Sequence, residues 1–352
     1  MIALDHALGR RGSPVLRAAA LAWLLLVAGP VLSATAEAPL RVAVVSDLNG
    51  SYGSTDYEST VARAVARILA LRPDLVISTG DMVAGQRRPH LSRAEIEQMW
   101  AAFHTAVSDP LAAAGIPLVV VPGNHDASAY AGFEAERAIF AAQWTPRAPP
   151  LRFVDNDAFP FQYAFAAGNT LFVALDVTTL GHLPAESMTW LRKVLTESGA
   201  DFQYRVVFSH LPLWPLAHGR EREVIGDPRL QSLLEEAHVD LYLSGHHHAF
   251  YPGSKGSVAF VAQACLGAGA RRLLGSAKRS PKGFTLLELG EGPARVTAFS
   301  GPELATPLDW GTLPRAIRSP LAELQRADLA GTALPGAGRP NDATAAPVGA
   351  AP

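Results

Sequence analysis

From residue 40 onward, short apolar runs alternate with stretches in which apolar residues recur at helical spacing. Runs rich in β-branched residues predict buried strands, and apolar residues three or four positions apart predict helices that bury one face. The predicted strands are 41–46, 75–78, 117–121, 171–175, 205–208 and 241–243, and the predicted helices are 57–71, 92–114, 185–195 and 228–237. Strands that alternate with helices predict an α/β layered fold in which helices cover a sheet.

The carboxyl-terminal third has a different pattern. Residues 257–299 contain short β-rich runs and the hairpin signal Gly290-Glu291-Gly292, which predicts a mixed sheet. The next segment, 301–326, is predicted to pack back on the domain because it carries apolar residues, namely Trp310, Leu313, Ile317, Leu321 and Leu324. Residues 327–352 are rich in Ala, Gly and Pro and are predicted to be a disordered tail. The main folded domain is therefore expected at residues 40–300.

The first 36 residues have the pattern of a secretory signal peptide. Arg10, Arg11 and Arg17 precede an apolar run at 18–28, and small residues follow at Ala34-Thr35-Ala36. The apolar run is shorter than the roughly 20 residues that a spanning helix needs. We therefore expect an exported protein, periplasmic or secreted, with no stable membrane span after cleavage. An uncleaved membrane anchor is the alternative.

Composition narrows the class of partner. The chain has 352 residues, of which 49% are hydrophobic and 18% charged, with a formal net charge of -2. These values suit a folded globular domain and give no electrostatic footprint for nucleic acid.

The chain has a single cysteine, Cys265, so no intramolecular disulfide can form. Because Cys265 lies in an apolar run, its expected role is core packing.

Polar residues with metal-binding chemistry follow the predicted strands. They are Asp47, Asp81, Asn124-His125-Asp126, His210 and His246-His247-His248. Adjacent strands deliver the residues after their carboxyl ends to one shared edge. Carboxylates, an amide and imidazoles together suit zinc, iron or manganese, and a carboxylate flanked by histidines suits a two-metal hydrolytic centre. Each segment alone is also compatible with an ordinary turn or a structural histidine.

In this order, the segments resemble those of the calcineurin-like metallophosphoesterase superfamily. The resemblance runs from residue 41 to about 300 and implies an αββα fold, in which two mixed sheets form a layered β-sandwich flanked by helices. The matching segments are Ser46-Asp47-Leu48-Asn49, Gly80-Asp81, Gly123-Asn124-His125-Asp126, Ser209-His210 and Gly245-His246-His247-His248.

The resemblance also implies a role for each site residue. Asp81 would bridge two divalent or trivalent metal ions. The first ion would be held by Asp47 and His248, and the second by Asn124, His210 and His246. His125 would face the substrate, stabilising the oxyanion or protonating the leaving group, and Asp126 would orient His125 by accepting its other ring proton.

One position departs from the superfamily pattern. The first segment usually ends in a histidine ligand, and here that position is Asn49. The purple acid phosphatase branch also lacks this histidine but has a tyrosine three residues after the bridging aspartate, where this chain has Ala84. An amide oxygen is a poorer ligand than imidazole for borderline ions, so the first site is expected to be weaker or to favour a harder ion. Tyr52 is an alternative residue that would complete it.

We therefore expect an exported, dinuclear metal-dependent hydrolase of small phosphate esters, in which a metal-bound hydroxide attacks phosphorus. Whether the substrate is a monoester or a diester is left open, because no motif in the loops distinguishes them. The alternative, motivated by Asn49, is a metal- or phosphate-binding module of the same fold with little or no turnover. A purely structural or partner-binding protein is a third possibility.

Overall fold

In the computed structural model, which describes residues 38–267, 269–331 and 334, two β-sheets are packed between helices. The strands are β1 (Leu40–Val45), β2 (Leu75–Ser78), β3 (Leu118–Val120), β4 (Arg152–Ala158), β5 (Gln162–Ala167), β6 (Thr170–Ala174), β7 (Tyr204–Phe208), β8 (Leu241–Ser244), β9 (Tyr251–Lys255), β10 (Val258–Ala262), β11 (Phe284–Leu289), β12 (Arg295–Ser300), β13 (Thr306–Pro307), β14 (Ala316–Arg318) and β15 (Glu323–Arg326). The helices are α1 (Ser59–Leu71), α2 (Arg93–Phe103), α3 (Asp109–Ala113), α4 (Asn124–Ala127), α5 (Glu134–Trp144), α6 (Ala185–Glu197) and α7 (Pro228–Glu236).

Both sheets are mixed. The six-stranded sheet has the order β13-β12-β11-β1-β2-β3, with β1, β2 and β3 parallel and β11 antiparallel to β1. The nine-stranded sheet has the order β14-β15-β9-β10-β8-β7-β6-β5-β4, and its β6, β7, β8 and β10 are parallel. Parallel strands end on the same side of a sheet, so each sheet gathers several carboxyl ends at one edge.

The apolar runs of the sequence are explained by burial on both faces of each central strand. Val42 and Val44 of β1 pack in the core between the sheets together with Phe208 of β7. Ala43 and Val45, the alternate residues of β1, pack in a second core against helices α1 and α2. A third core lies between the nine-stranded sheet and helices α6 and α7. The predicted α/β fold of two sheets flanked by helices is confirmed.

Two local predictions were incomplete. The helix expected over 92–114 is interrupted, because a π-helical turn at His104–Ser108 separates α2 from α3. The ring of His104 is hydrogen-bonded on both nitrogens there, to Ser108 Oγ at 2.7 Å and to Gln143 Oε1 at 3.1 Å. In addition, α5, β4 and β5 were not predicted. Strand β4 has exposed or half-buried positions throughout, so it carries no apolar run.

The segment after residue 300 adds strands to both sheets. β13 pairs with β12 at one edge of the six-stranded sheet. In the nine-stranded sheet, β15 pairs with β9, and β14 pairs with β15 and forms the edge. Of the apolar residues predicted to pack there, Trp310, Ile317 and Leu324 are buried, whereas Leu321 is 51% exposed. The expectation for Leu321 was wrong, because this residue lies in the turn between β14 and β15.

The termini extend beyond what the structure describes. The predicted signal peptide at 1–36 lies outside the described residues. The predicted disordered tail begins too early, because Ala327–Leu329 form a 3₁₀ turn in which Ala327 is buried. Residues 332–333 and 335–352 lie outside the described part of the chain. Within that part, no helix is both long enough and apolar enough to cross a membrane.

We predict that Ile317→Ala lowers the free energy of unfolding by about 2–5 kcal/mol, because it removes a fully buried side chain and leaves a cavity. The matched control, Leu321→Ala, should change it by less than about 0.5 kcal/mol, because Leu321 is largely exposed. Urea unfolding followed by circular dichroism measures both values. Equal effects of the two substitutions would contradict the packing of the segment after residue 300.

Candidate metal centre

The predicted ligands follow strands of both sheets. Asp47, Asp81 and Asn124 follow β1, β2 and β3, and His210, His246 and His248 follow β7 and β8. The two sets meet, because His210 Nε2 lies 3.3 Å from Asp81 Oδ2. Likewise, His248 Nε2 lies 3.1 Å from Asp47 Oδ1. The carboxyl ends of the two sheets therefore form one site.

Backbone strain is concentrated at these strand ends. Asp47, Asp81, His246 and His248 have φ values of 51°, 55°, 64° and 51°, in the left-handed region. They are four of the eight non-glycine residues with positive φ in the described chain. Such a conformation costs about 1–3 kcal/mol per residue and persists only where the surroundings impose it. The chain turns sharply at each of these positions, which is how the side chains come to face one another.

Two motif glycines permit the close approach of these turns. A β-carbon on Gly123 would lie 2.1 Å from Asp81 Oδ1, and one on Gly245 would lie 2.1 Å from Ser46 Oγ and 2.8 Å from Asp47 Oδ2. Both distances to the nearest atom are far below van der Waals contact. Only glycine fits at either position without displacing Asp81 or Asp47.

The two nitrogens of His210 have different surroundings. Nδ1 lies 2.9 Å from the carbonyl oxygen of Thr79, which accepts its proton. Nε2 therefore presents a lone pair to Asp81 Oδ2 at 3.3 Å, Asn124 Oδ1 at 3.0 Å and His246 Nδ1 at 3.2 Å. Four acceptor atoms that face one another repel unless a cation lies among them. This is the arrangement of ligands around a metal ion.

The pKa of His210 also indicates that a positive charge is favoured between His210 and Asp81. Burial disfavours the charged ring, but Asp81 and Asp47 outweigh it and raise the pKa of His210 to about 9. Burial likewise opposes ionisation of Asp81, yet His210 and His125 hold the pKa of Asp81 well below its usual range. A proton on His210 Nε2 would therefore occupy the position of a metal ion, so protons and metal ions would compete for this site.

His248 repeats this pattern on the other side of the site. Its Nδ1 donates to the carbonyl oxygen of Gly269 at 3.2 Å, so its Nε2 faces Asp47 Oδ1. The second oxygen of Asp47 accepts the Ser46 hydroxyl at 2.6 Å and the backbone N–H of His246 at 3.1 Å. Burial opposes a charge on His248, but Asp47 raises the pKa of His248 to about 10.

Asp81 is shared between the two halves of the site. Its Oδ1 accepts the backbone N–H of His125 at 2.9 Å, while its Oδ2 is buried and has no hydrogen-bond partner among the described residues. Ligand atoms of Asp81, His210 and His246 lie within 4.8 Å of one another, as do those of Asp47, Asp81 and His248. The residues present therefore fit two metal ions, with the carboxylate of Asp81 common to both groups.

A family model described as calcineurin-like phosphoesterase matches residues 40–250, more than half of the 352 residues. The chain belongs to the calcineurin-like phosphoesterase family. The resemblance noted from five sequence segments is thereby confirmed.

Known phosphoesterases match over part of their length. Purple acid phosphatase 15 of Arabidopsis thaliana is 26% identical over 240 residues, which is 62% of this chain and 42% of that protein. Glycerophosphodiester phosphodiesterase GpdQ of Enterobacter lignolyticus is 27% identical over 206 residues, 56% of this chain and 64% of that protein. The structure of purple acid phosphatase PPD1 from yellow lupin (Lupinus luteus) superposes with a TM-score of 0.57 at 17% identity, over 74% of this chain and 51% of that chain. This chain thus spans less than two thirds of each relative.

In this member of the family, the side-chain amides of the two candidate-site asparagines, Asn124 and Asn49, differ in how they are held. The Nδ2 group of Asn124 donates to Gln86 Oε1 at 2.6 Å, which directs Asn124 Oδ1 to His210. Asn49 is buried, and its backbone N–H donates to the Asp81 carbonyl oxygen at 3.1 Å. No hydrogen bond within the described residues holds the side-chain amide of Asn49. The side-chain oxygen of Asn124 is therefore held facing the site, whereas the amide of Asn49 is not held by a hydrogen bond within the described residues.

The expected pairing of Asp126 with the ring of His125 was wrong. His125 Nδ1 lies 3.0 Å from the Gly85 carbonyl oxygen. Asp126 instead accepts the backbone N–H groups of Met82, Val83 and Gly123, each at 2.8 Å. Successive residues of a helix point about 100° apart, so in α4 these two side chains diverge. Asp126 thus fixes the loop after Asp81 and does not orient His125.

Several supporting residues were missed because no local pattern marks them. Glu223 lies in the irregular loop before α7, and its Oε2 is 3.2 Å from the outward Nε2 of His246. Its backbone carbonyl oxygen is 3.0 Å from Nε2 of His247, which stays outside both ligand groups.

Two residues that the sequence analysis did name have contacts at the site. Cys265 is buried, as expected, but it also interacts with His248 and helps raise the pKa of His248. Tyr52, offered as an extra ligand, packs its ring 5.1 Å from that of His125.

We predict that metal binding releases protons. His210 and His248, with pKa values of about 9 and about 10, are protonated at neutral pH in the ion-free protein, so each must lose a proton to become a ligand. The apparent metal affinity should therefore rise with pH until these groups deprotonate. Calorimetric zinc titrations in buffers of different ionisation enthalpy count the protons. Binding with no proton release at neutral pH would contradict the assigned ligands.

Proposed function

We propose that this phosphoesterase is an exported enzyme that hydrolyses small phosphate esters with two bound metal ions. The observation that supports the proposal best is the pair of three-residue ligand groups that share Asp81. Each histidine in them has an outer partner, Thr79, Gly269 or Glu223, that turns its other nitrogen into the site. Such outer partners are typical of histidines that bind metal.

Most of the site residues would bind the two metal ions. Asp47, Asp81 and His248 would hold the first ion, and Asn124, His210, His246 and the same Asp81 would hold the second. When bound, the ions supply positive charge for the phosphoryl oxygens and acidify the attacking water. Manganese, zinc and iron all suit this donor set. The unsupported amide of Asn49 would favour a harder or more hydrated first ion.

His125 is the residue best placed to act on the substrate. Its Nδ1 is held by the Gly85 carbonyl oxygen, and its Nε2 lies 4.0 Å from Asp81 Oδ2. The side chain is 21% exposed, so Nε2 can reach a ligand at the mouth of the site. We assign it the role of stabilising the phosphoryl oxygen or donating a proton to the leaving oxygen.

The substrate class is narrowed only to phosphate esters. The names of the two relatives differ in this respect, since one is an acid phosphatase and the other a glycerophosphodiester phosphodiesterase. Export is proposed from the signal-peptide pattern in residues 1–36, and the detection of the mature chain in a periplasmic or extracellular fraction tests it.

The direct test is turnover of a panel of phosphate monoesters and diesters by protein loaded with manganese, zinc or iron. Asp81→Asn should abolish turnover and deplete both metals, because both groups share Asp81. His125→Ala should keep the metals and slow turnover by ~10²–10⁴-fold. His182→Ala, at an exposed histidine outside the site, is the control and should match wild type.

Two outcomes would contradict these assignments. Two bound metals with no turnover of any ester would favour the metal- or phosphate-binding module. Loss of metal from His125→Ala would show that this residue is a ligand.

A second prediction concerns the first metal position. Asn49→His places an imidazole where the chain now has an unsupported amide, so zinc affinity of the weaker site should rise by at least ~10-fold, as expected for a better ligand. Metal-competition titrations against a chromophoric chelator measure this affinity. An unchanged affinity would exclude position 49 from the metal site.

A further inference from the structure

Arg271 is a half-buried cation beside the candidate metal centre, and its guanidinium has no partner among the residues that the structure describes. Its backbone N–H donates to the carbonyl oxygen of the ligand residue His248 at 3.1 Å. Its Nε is buried without a hydrogen-bond partner, and no ion pair joins its guanidinium to any residue in the described part of the chain. An unpaired buried donor is costly, and the cost is greater for a charged group. An anion in the site would remove that cost.

The backbone around Arg271 is rigid. His218 N–H donates to the Arg272 carbonyl oxygen and Leu274 N–H to the Leu216 carbonyl oxygen, both at 2.8 Å. Ser280 N–H donates to the carbonyl oxygen of Arg271 itself at 2.7 Å. The first two bonds join the loop that follows β10 to the loop that follows His210. The backbone of Arg271 is thus anchored to both loops without any contribution from a ligand.

A second arginine nearby shows by contrast why Arg271 is free to bind an anion. The guanidinium of Arg220 pairs with the carboxylate of Glu223, so its charge is already neutralised. Burial and the charge of Arg220 lower the pKa of Arg271, while Asp47 and Glu223 oppose this shift. The charges of Asp47, in the first ligand group, and of Glu223, behind His246, thus both favour the charged guanidinium of Arg271.

We propose that Arg271 binds the non-bridging oxygens of the substrate phosphate, and that it favours dianionic phosphomonoesters over diesters. This inference rests on the proposed function of the same site. A guanidinium offers a planar fork of donors that matches two phosphate oxygens, which an ammonium cannot do. A monoester has three non-bridging oxygens and two negative charges, whereas a diester has two such oxygens and one charge. The monoester therefore gains more from an additional cation.

The experiment measures binding and turnover with the metal-loaded full chain. Inorganic phosphate is titrated calorimetrically into wild type, Arg271→Ala, Arg271→Lys and Arg272→Ala. Arg272 is the matched control, because it is the next residue in the same loop and is exposed. An aryl phosphate monoester and its bis-ester are then compared by kcat/KM, and the metal content of each variant is determined.

We expect Arg271→Ala to weaken phosphate binding by ~10–100-fold, the range for a hydrogen bond to a charged group. kcat/KM for the monoester should fall more than kcat/KM for the diester, with the metal content unchanged. Arg271→Lys should recover part of the affinity, because it keeps the charge but loses the fork. Arg272→Ala should behave as wild type.

The inference would be overturned if Arg271→Ala bound phosphate as tightly as the wild type. It would also be overturned if Arg272→Ala lost as much phosphate affinity as Arg271→Ala, or if Arg271→Ala lost its metal ions. If the wild type hydrolyses phosphate esters and any of these results is obtained, the role of Arg271 is refuted and the proposed hydrolysis is not. Conversely, phosphate binding that depends on Arg271 in a protein that hydrolyses no ester refutes the proposed hydrolysis and supports the anion site.

Discussion

The arrangement of buried lone pairs around Asp81 is the constraint on which the site depends. Asp81 Oδ2 has no hydrogen-bond partner among the described residues, and the His210 Nε2 that faces it also faces Asn124 Oδ1 and His246 Nδ1. Acceptors facing one another in a buried position lose their hydration and gain no hydrogen bonds in return. A cation, either protons or metal ions, is what makes this arrangement favourable. The pKa values of His210 and His248 are raised for the same reason, because a proton on either ring supplies positive charge next to a buried carboxylate.

Residues that surround the site hold its side chains in this arrangement through hydrogen bonds. Backbone carbonyl oxygens of Thr79 and Gly269 accept hydrogen bonds from the outer nitrogens of His210 and His248, which stabilises both rings in the orientation that faces the site. Asp126 fixes the loop after Asp81 through three backbone N–H groups. Burial, followed by the charge of Asp81, raises the pKa of Asp126 to about 7 despite those donors. The left-handed turns at the strand ends are retained because these contacts stabilise them.

The sequence predicted what depends on local pattern. The strand that precedes Asp47 is a continuous apolar run because β1 is buried on both faces, and the polar residue after it marks the site. Contacts between distant segments leave no such pattern, so Glu223 and Gln86 were missed. Asp126 was assigned to its neighbour in sequence, but the first turn of α4 directs it elsewhere. The same limit applies to Leu321, since its apolar character does not reveal that it lies at a turn.

The most direct test of the account is a crystal structure of metal-loaded protein with anomalous diffraction recorded at the absorption edge of the bound metal. We predict two anomalous peaks. One should contact Asp47 and His248, the other Asn124, His210 and His246, and both should contact Asp81. A single peak, or two peaks that do not share the carboxylate of Asp81, would contradict the central claim.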